Sequence, residues 1–381
     1  MYRLAAMTTT SSQDLIGSPI RGTHAGRRDS HGRGTIRVGI IGAAGYVGGE
    51  LIRILERHPN VRIAGLQGRD RDHQPVGEPH PHLAGTGHHI EATLPEVDAV
   101  FVALPHGASA ALVPGLVERG LAVVDLGADY RLSDPADYQR WYGFEHPAPE
   151  LLARAVYGLP EQHRGRLLAL QDAEVAIVGS PGCYPTTSLL GLYPLARAGL
   201  IADVVVDAKS GVSGAGRATK AELMYAEVNE SVRAYGLAGH RHISELMQEL
   251  RDAGPHGEAN PGAATVGFLP HLVPMQRGIL AASHVRPTRA VGAAELQELY
   301  REAYAGEPFV TVVDQPPATS QVRGSNHARV HAHLDERTGR IVVVSVIDNL
   351  IKGAAGQAVQ AFNLVFDLPE TAGLEQLPLA P

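Results

Sequence analysis

The 381-residue sequence has little of several features that mark large classes of protein. It contains one cysteine, so it can form no intrachain disulfide, and a reducing compartment such as the cytoplasm is expected. No run approaches about 18 consecutive apolar residues, which predicts no transmembrane helix and no membrane partner. The net charge is −7 and no basic patch carries interleaved aromatic residues, so nucleic acid is not expected as a partner.

Residues 1–34 lack the periodic apolar pattern that follows them, and they also lack the continuous apolar core of a secretory signal. They are rich in Ser, Thr, Gly, Arg and His, a composition typical of disordered segments. We therefore expect a disordered tail over 1–34, or a true start at Met7 or later, and a folded protein from residue 35.

A glycine-rich turn follows the first strand pattern, a β-branched run over 35–41. Gly42 and Gly45 allow a tight turn and the close approach of a pyrophosphate to the N-terminus of the next helix. Gly48 allows that helix to pack closely on the strand. Strand, glycine turn and helix together predict a dinucleotide-binding unit, and the alternative is a turn with a structural role only.

The end of the second strand pattern, 61–66, indicates which dinucleotide is bound. An acidic residue there would hold the ribose 2′-hydroxyl of NAD, but this chain has Arg69 and Arg71. A cation suits a 2′-phosphate, so we expect NADP(H) as the cofactor, with Arg69 as the contact. Alternatively, both arginines are only solvated loop charges.

The pattern up to residue 182 alternates apolar strands with helices, which predicts an α/β fold with a Rossmann-type doubly wound parallel sheet. Ligands of such sheets gather at the carboxyl ends of the strands, where Pro105 and Arg131 lie. The guanidinium of Arg131 suits a phosphate or carboxylate, unless it pairs with Asp129 or Asp134. The histidines between residues 73 and 89 match no standard metal-binding spacing, so no metal site is expected.

The only cysteine, Cys183, lies in a turn rich in glycine and proline, 179–186, between an apolar run at 175–178 and a helix pattern. At a helix N-terminus, the dipole and the unpaired N–H groups favour thiolate over thiol and can hold an oxyanion. A lone cysteine is more often a small buried hydrophobic residue, but the flanking residues build a turn and not a packed strand. We therefore expect Cys183 to be a nucleophile.

Two further motifs that can carry chemistry follow Cys183. The strand pattern at 203–208 ends in residues 209–217, where glycines, hydroxyls and cations predict a cradle for a phosphoryl group. His240, at the start of an amphipathic helix, suits acid–base work near neutral pH, although an isolated histidine is more often structural.

Later strand patterns without intervening βαβ units predict an α+β second domain, which would carry the substrate site, with a mostly antiparallel sheet. The expected strands cover 264–269, 278–286, 309–313, 328–334 and 340–347. A glycine-rich helix that opens at 347–357 is expected to return to the first domain, with Asn349 facing the cofactor. The expected division is a tail, 1–34, an NADP-binding domain, 35–182, a catalytic domain, 183–346, and the returning helix, 347–381.

Together these residues define a chemistry. A dinucleotide supplies hydride, a cysteine forms a thioester, a histidine moves a proton, and an anion loop holds a leaving phosphate. This set fits a phosphorylating aldehyde dehydrogenase that runs in the reductive direction on a small acyl phosphate.

Six motifs also carry a resemblance to a known family: 42–51, 104–107, 182–186, 210–217, 240–242 and 348–356. From about residue 36 to 381 the chain resembles the N-acetyl-gamma-glutamyl-phosphate reductases of arginine biosynthesis, which belong to the aspartate-semialdehyde dehydrogenase-like superfamily. The resemblance implies NADPH-dependent reduction of N-acetyl-L-glutamyl 5-phosphate to N-acetyl-L-glutamate 5-semialdehyde and phosphate, in a homo-oligomer (dimer or tetramer). Ala44 departs from the family, which usually has Ser or Thr there.

The resemblance also implies roles for individual residues. Cys183 is the nucleophile, and His240 or His242 is the acid–base group; we favour His240, with His242 as an orienting residue or substrate ligand. The expected substrate contacts are Arg131, Ser210, Gly211, Ser213 and Arg217. The expected cofactor contacts are Gly42, Ala43, Gly45, Tyr46, Val47, Arg69, Pro105, Gly182 and Asn349, the last beside the nicotinamide.

Two rival functions stay open at this point. One is the related reductase of lysine biosynthesis, which acts on a carrier-protein-linked aminoadipyl phosphate. That branch looks more like Gly-Cys-Asn-Ala at the cysteine, whereas this chain has Tyr184 and Pro185 after Cys183, and Arg217 at the end of its anion loop. The other rival is a non-catalytic nucleotide-binding regulator on the same fold, which would need neither the cysteine nor the two histidines.

Overall fold

The computed structural model describes residues 34–69, 72–254 and 265–379. The tail expected over 1–34 lies outside the described residues, apart from Gly34. Within these ranges, no helix is both long enough and apolar enough to cross a membrane. The chain forms two sheets, and the helix that begins at Cys183 connects the first to the second.

Among the described residues, eight strands form the first sheet, in the order β3-β4-β2-β1-β5-β6-β8-β7. They are β1 (Ile36–Ile41), β2 (Val61–Gln67), β3 (Gln74–Pro75), β4 (His89–Glu91), β5 (Ala99–Val102), β6 (Ala122–Asp125), β7 (Ala155–Tyr157) and β8 (Ile177–Gly179). Every pair is parallel except β3 with β4 at one edge. Strands β5 and β6 are buried at every residue, as expected for a parallel sheet that is covered on both faces. The predicted Rossmann-type sheet is confirmed.

The second sheet, in the described part of 201–347, has seven strands in the order β10-β11-β9-β12-β15-β14-β13. They are β9 (Ile201–Gly211), β10 (Arg233–Ala234), β11 (Thr265–Val273), β12 (Ile279–Pro287), β13 (Val310–Val312), β14 (Ala328–Asp335) and β15 (Arg340–Ile347). Only β9 with β11 and β13 with β14 pair in parallel. The predicted mostly antiparallel sheet is confirmed.

Helices cover both faces of the first sheet and one face of the second. They are α1 (Tyr46–Leu55), α2 (Ala108–Glu118), α3 (Pro135–Tyr142), α4 (Pro149–Leu152), α5 (Pro160–Leu168), α6 (Cys183–Arg197), α7 (Tyr225–Val228), α8 (His242–Asp252), α9 (Ala293–Ala303) and α10 (Gly356–Val365). Helix α9 corrects the expectation that the late strands follow one another without a helix. Its buried residues Leu296 and Tyr300 are four apart, the spacing of one helix face, and that signal was missed.

The last helix packs with the first sheet. All residues of α10 are buried, and Phe362 lies 5.3 Å from Phe101 of β5, measured between ring centroids. A π-helical turn, Ile351–Ala355, precedes α10 and contacts α6. Because α6 packs on the second sheet and α10 on the first, the start of α6 lies where the two sheets meet.

Candidate active site

The glycine turn between β1 and α1 is shaped by close contacts. Gly42 has φ +86°, and a Cβ atom there would lie 2.3 Å from the carbonyl oxygen of Ala103. A Cβ at Gly48 would lie 2.5 Å from the carbonyl oxygen of Gly42, so side chains are excluded at both positions. Gly45 is the N-cap of α1, and no side chain caps the helix. The turn therefore leaves backbone N–H groups at a helix N-terminus open, a geometry that fits the pyrophosphate of a dinucleotide.

The histidine-rich segment supports this turn. The His80 ring is buried; its Nε2 lies 2.9 Å from the carbonyl oxygen of Ala43, and the ring packs against Gly49. Two exposed or half-exposed histidines instead face carboxylates, His73 with Glu91 and His88 with Glu56. Within the ranges that the structure covers, no three His, Cys, Asp or Glu side chains are grouped to hold a metal ion.

The other expected cofactor contacts lie around the same turn. Ala43 is buried and Tyr46 is 40% exposed at the start of α1, with Val47 beside it. Pro105 follows β5 and is exposed. Arg69 is exposed two residues after β2 ends, and the carbonyl oxygen of Gln67 at that end accepts hydrogen bonds from the turn. These positions stay predictions as cofactor contacts.

Cys183 is the first residue of α6 and is partly exposed. Two glycines let other parts of the chain approach it. A Cβ at Gly353, in the π-helical turn, would lie 2.8 Å from the Cβ of Cys183, and a Cβ at Gly182 would lie 2.6 Å from Nε2 of His242. The cysteine is thus enclosed by the last segment of the chain on one side and by an imidazole on the other.

The thiol is held in its neutral form. Burial raises the pKa of Cys183 to about 11, although the charge of Arg131 and the N–H groups of Tyr184 and Cys183 act in the opposite direction. In the free protein, burial therefore opposes the thiolate that the helix N-terminus is expected to favour. The physical reason is that the cost of removing a charge from water exceeds the attraction of the helix N-terminus.

The two histidines of the 240–242 motif lie side by side, with ring centroids 4.7 Å apart. Burial and the charge of Arg241 lower the pKa of His240 to about 4. Burial, reinforced by His240, Arg131 and Arg241, lowers the pKa of His242 well below its usual value. Both imidazoles are consequently neutral at pH 7 and able to accept a proton.

Their partners differ, however. His240 packs edge-on against Tyr184, Tyr235 and Phe268, and its Nδ1 accepts a hydrogen bond from the backbone N–H of His242. The Nδ1 of His242 is buried and has no hydrogen-bond partner among the described residues. The His242 ring lies directly against Gly182, the residue before the nucleophile.

Glu245 joins these parts from one turn further along α8. Its buried carboxylate accepts hydrogen bonds from Arg131 Nη1 at 3.0 Å, Tyr157 Oη at 2.9 Å and the Gly182 N–H at 2.9 Å. Its Oε1 is also 4.0 Å from His242 Nε2. Sequence reasoning missed Glu245, although its spacing of three from His242 puts both side chains on one helix face.

Arg131 is buried, and its guanidinium is held by the protein. Besides Glu245, it donates to the carbonyl oxygens of Ser180 at 2.6 Å and Leu126 at 3.0 Å. Its ion-pair partner is Glu245 and not Asp129 or Asp134, which the sequence offered as alternatives. A direct contact between Arg131 and substrate stays a prediction.

The anion loop, which we define as residues 210–217, begins where β9 ends. Ser210 and Gly211 are buried, and a Cβ at Gly211 would lie 2.8 Å from the carbonyl oxygen of Gln276. Asn349 is also buried, and its Nδ2 donates to Ser213 Oγ at 2.9 Å. Asn349 therefore contacts the anion loop, and its expected position beside the nicotinamide stays a prediction.

Arg217, at the far end of the anion loop, reaches the glycine turn. Its Nη1 donates to the carbonyl oxygen of Ala44 at 3.1 Å, and its guanidinium lies 5.8 Å from the centroid of the Tyr46 ring. An exposed cation thus connects the expected substrate loop with the expected cofactor turn.

Two family profiles match the chain. The semialdehyde dehydrogenase NAD binding domain matches residues 37–169, and the semialdehyde dehydrogenase dimerisation domain matches residues 183–349. The overall structure of the chain is similar to that of aspartate semialdehyde dehydrogenase II of Vibrio cholerae, which was solved as a complex with ASA. The TM-score is 0.65 and the sequences are 18% identical, and the match covers 87% of this chain and 98% of that one. It is also similar to the aspartate semialdehyde dehydrogenase of Candida albicans with NADP, with a TM-score of 0.65, 17% identity, and coverage of 89% and 99%.

Sequence relatives are much more similar. The N-acetyl-gamma-glutamyl-phosphate reductase of Heliobacterium modesticaldum is 45% identical over 362 residues, which cover 91% of this chain and 100% of the relative. The enzyme of the same name from Halorhodospira halophila is 48% identical over 357 residues, with coverage of 91% and 100%. The chain belongs to the N-acetyl-gamma-glutamyl-phosphate reductase family of oxidoreductases.

Proposed function

We propose that this protein reduces N-acetyl-L-glutamyl 5-phosphate to N-acetyl-L-glutamate 5-semialdehyde, with release of phosphate, in arginine biosynthesis. The observation that carries the proposal is the place of Cys183, at the junction of the two sheets, with His242 against the preceding glycine. The relatives at 45% and 48% identity, which bear this reductase name, supply the substrate class.

The first step is the attack of Cys183 on the acyl phosphate. As the sulfur–carbon bond forms, the thiol proton passes to His242 and the carbon–oxygen bond to phosphate breaks, which leaves a thioester. We favour His242 over His240 as the acceptor because its ring is next to Gly182, while His240 is enclosed by aromatic rings. The negative charge of a bound acyl phosphate would raise the low pKa of the imidazole and so favour this transfer.

The N-terminus of α6 stabilises the oxyanion that forms when the sulfur attacks the carbonyl carbon. The N–H groups of Cys183 and Tyr184 already act on the sulfur, and they would lie near the oxygen of the carbonyl that it attacks. The Gly182 N–H is engaged by Glu245, which keeps the turn before the nucleophile in one conformation. When the thioester has been reduced, the sulfur–carbon bond breaks and His242 returns a proton to the thiolate.

The glycine turn, with Gly42, Gly45 and the start of α1, would hold a nicotinamide cofactor. When bound, it supplies the hydride that reduces the thioester carbon. We propose NADP(H) as the physiological form because Arg69 stands at the end of β2, where a 2′-phosphate would be bound. The anion loop, through Ser210, Gly211 and Ser213, would hold the phosphoryl group.

We propose that the protein forms a homo-oligomer. We also propose that it acts in the cytoplasm, where its one thiol stays reduced. One face of the second sheet is covered by α6, and the other is half-open. Val205 on that face is 46% exposed, its cross-strand partner His284 is exposed, and Asp207 is partly exposed. We propose that a second copy of the chain covers this face. We also propose that the chain divides into an NADP-binding domain, 35–182, a catalytic domain, 183–346, and a returning helix, 347–381. Light scattering should find two or four copies, and a monomer would contradict this.

The reverse reaction tests the proposed function. Purified protein should reduce NADP with N-acetyl-L-glutamate 5-semialdehyde, and the rate should depend on added phosphate. The Cys183→Ala variant should lose at least about 10⁴-fold in kcat because no other group can form the thioester.

The Thr187→Val variant is a matched control on the same helix, since it removes a buried hydroxyl that donates to the Cys183 carbonyl oxygen. It should stay within about fivefold of wild type. Turnover of the aminoadipate-type substrate instead would reject the substrate assignment. A Cys183→Ala variant with near wild-type rate would reject the mechanism.

A further inference from the structure

The connection between β11 and β12, residues 274–278, is hydrogen-bonded to the start of the anion loop. The N–H groups of Gly211, Val212 and Ser213 donate to the carbonyl oxygens of Gly278 at 2.9 Å, Met275 at 2.9 Å and Gln276 at 3.2 Å. This connection therefore sets the position of the loop that the proposed function assigns to the phosphoryl group.

The same connection is tied to Asn349. The Gly278 N–H donates to Asn349 Oδ1 at 2.8 Å, and Asn349 Nδ2 donates to Ser213 Oγ at 2.9 Å. The preceding residue, Asp348, is buried and accepts hydrogen bonds from the N–H groups of Leu350 and Gly324. The last segment of the chain and the anion loop are thus one hydrogen-bonded assembly.

Arg277 connects this assembly to α1, the helix that follows the glycine turn. Its Nη2 lies 2.5 Å from Oε1 of Glu50, a buried residue of α1, and its Nη1 lies 3.7 Å from Oδ1 of Asp348. Glu50 belongs to the glycine-turn motif but has no role in the reaction as described above. Its other oxygen, Oε2, is 2.8 Å from Nη2 of Arg53 on the same helix.

We propose that Arg277 is a positioning residue that couples the glycine-turn helix to the anion loop through Glu50. This inference rests on the proposed function, which assigns the cofactor to the glycine turn and the phosphoryl group to the anion loop. Glu50 is a buried carboxylate on α1, and the guanidinium of Arg277 links it to the connection at 274–278. Because this connection is hydrogen-bonded to Ser213, a shift of α1 is transmitted to the anion loop. Occupation of the glycine turn by a dinucleotide then changes the affinity of the anion loop for phosphate, and the reverse follows by linkage.

The test compares Arg277→Met with Arg53→Met. Both variants remove one guanidinium from the same carboxylate, but only the first breaks the connection to the second sheet. In the forward reaction, Arg277→Met should lose at least about tenfold in kcat, because a small misplacement of reacting groups is costly. Arg53→Met should stay within about twofold, and the dissociation constant of NADPH should stay within about threefold in both.

A binding measurement separates this proposal from the substrate assignment. Inorganic phosphate is titrated calorimetrically into the full-length protein, with and without saturating NADP. In wild type and Arg53→Met, NADP should change the dissociation constant of phosphate at least about fivefold, and in Arg277→Met the ratio should fall to about one. If the protein does not turn over the acetylglutamyl substrate, the proposed function is rejected. The ratio of phosphate dissociation constants with and without NADP can still be measured.

Arg277→Lys keeps the charge and should recover at least about threefold of the lost kcat, which a loss of folding stability alone would not explain. If Arg277→Met does not fold, Glu50→Gln removes the charge of the shared carboxylate and should show the same loss of coupling. A ratio of about one in wild type would overturn the proposal, and so would equal effects of Arg277→Met and Arg53→Met.

Discussion

Two polar clusters lie near the junction of the sheets, and they differ in how their ionisable groups are paired. The catalytic cluster, Cys183 with His240 and His242, has groups that burial drives toward their neutral forms. In the lysine cluster, Lys352 Nζ lies 2.6 Å from Glu161 Oε1 and 2.6 Å from Gln360 Oε1, and both charged residues are almost inaccessible. In the catalytic cluster, His242 Nε2 is 4.0 Å from Glu245 Oε1, whereas Lys352 and Glu161 form a close ion pair at 2.6 Å.

The difference follows from what each cluster does. A tight ion pair favours one protonation state, which opposes the proton transfers that a catalytic group must make. A group that only connects segments benefits from such a pair, and Lys352 joins the π-helical turn to α5 in this way. Near the cysteine, the charged side chains of Arg131 and Glu245 hold the backbone around the nucleophile.

The largest effect is expected from breaking the lysine cluster. The Lys352→Met variant leaves Glu161 buried without its cation and should lower the free energy of unfolding by about 3–5 kcal/mol, measured by urea denaturation. Arg301→Met is the control because Arg301 pairs with Glu298 on the exposed face of α9, with both side chains 61% exposed. It should cost less than about 1 kcal/mol. Equal losses would show that burial of the lysine pair has no special role.

The next largest effect concerns the two histidines of the catalytic cluster. His242→Asn should lose about 10²-fold to 10³-fold in kcat, the usual contribution of a positioned acid–base group. His240→Asn, two residues away, should lose about tenfold or less because that ring packs among aromatic residues. Single-turnover rates of thioester formation would distinguish them. The reverse order would assign the proton transfer to His240.

A smaller effect tests a charge outside both clusters. Arg217→Met should raise the KM for NADP about fivefold to tenfold, because an exposed guanidinium at the glycine turn would assist the cofactor's phosphates. The KM for the semialdehyde should change less than about twofold. Lys220→Met, which removes an exposed cation three residues further on, is the control. An increase confined to the substrate KM would place Arg217 with the acyl phosphate instead.

The fold could be predicted from local patterns wherever one pattern decided the outcome. Apolar strands that alternate with helices indicated the parallel sheet, and the glycine spacing indicated the turn at Gly42. Helix α9 could also have been predicted, because Leu296 and Tyr300 are four residues apart on one helix face. The strands β3 and β10 have two residues each and are set by pairing with distant partners, which no local pattern contains.

The site could be predicted only as a set of residue types. The cysteine, the histidine pair and the anion loop stood out because their chemistry is rare or their spacing regular. The partners that orient them did not: Glu245 meets Arg131 across 114 positions, and Arg277 meets Glu50 across 227. The protonation state of Cys183 was also out of reach, since it depends on how completely the surrounding chain excludes water.

The most direct test of the contrast between the clusters is the pH dependence of Cys183 alkylation by iodoacetamide in the free protein. Only the thiolate reacts, and burial raises the thiol pKa to about 11, so the reactive fraction grows as pH rises. The rate should increase about tenfold per pH unit from about pH 7 to pH 10, without a plateau. A rate that levels off near pH 7 would mean a thiolate stabilised in the free protein and would contradict the account.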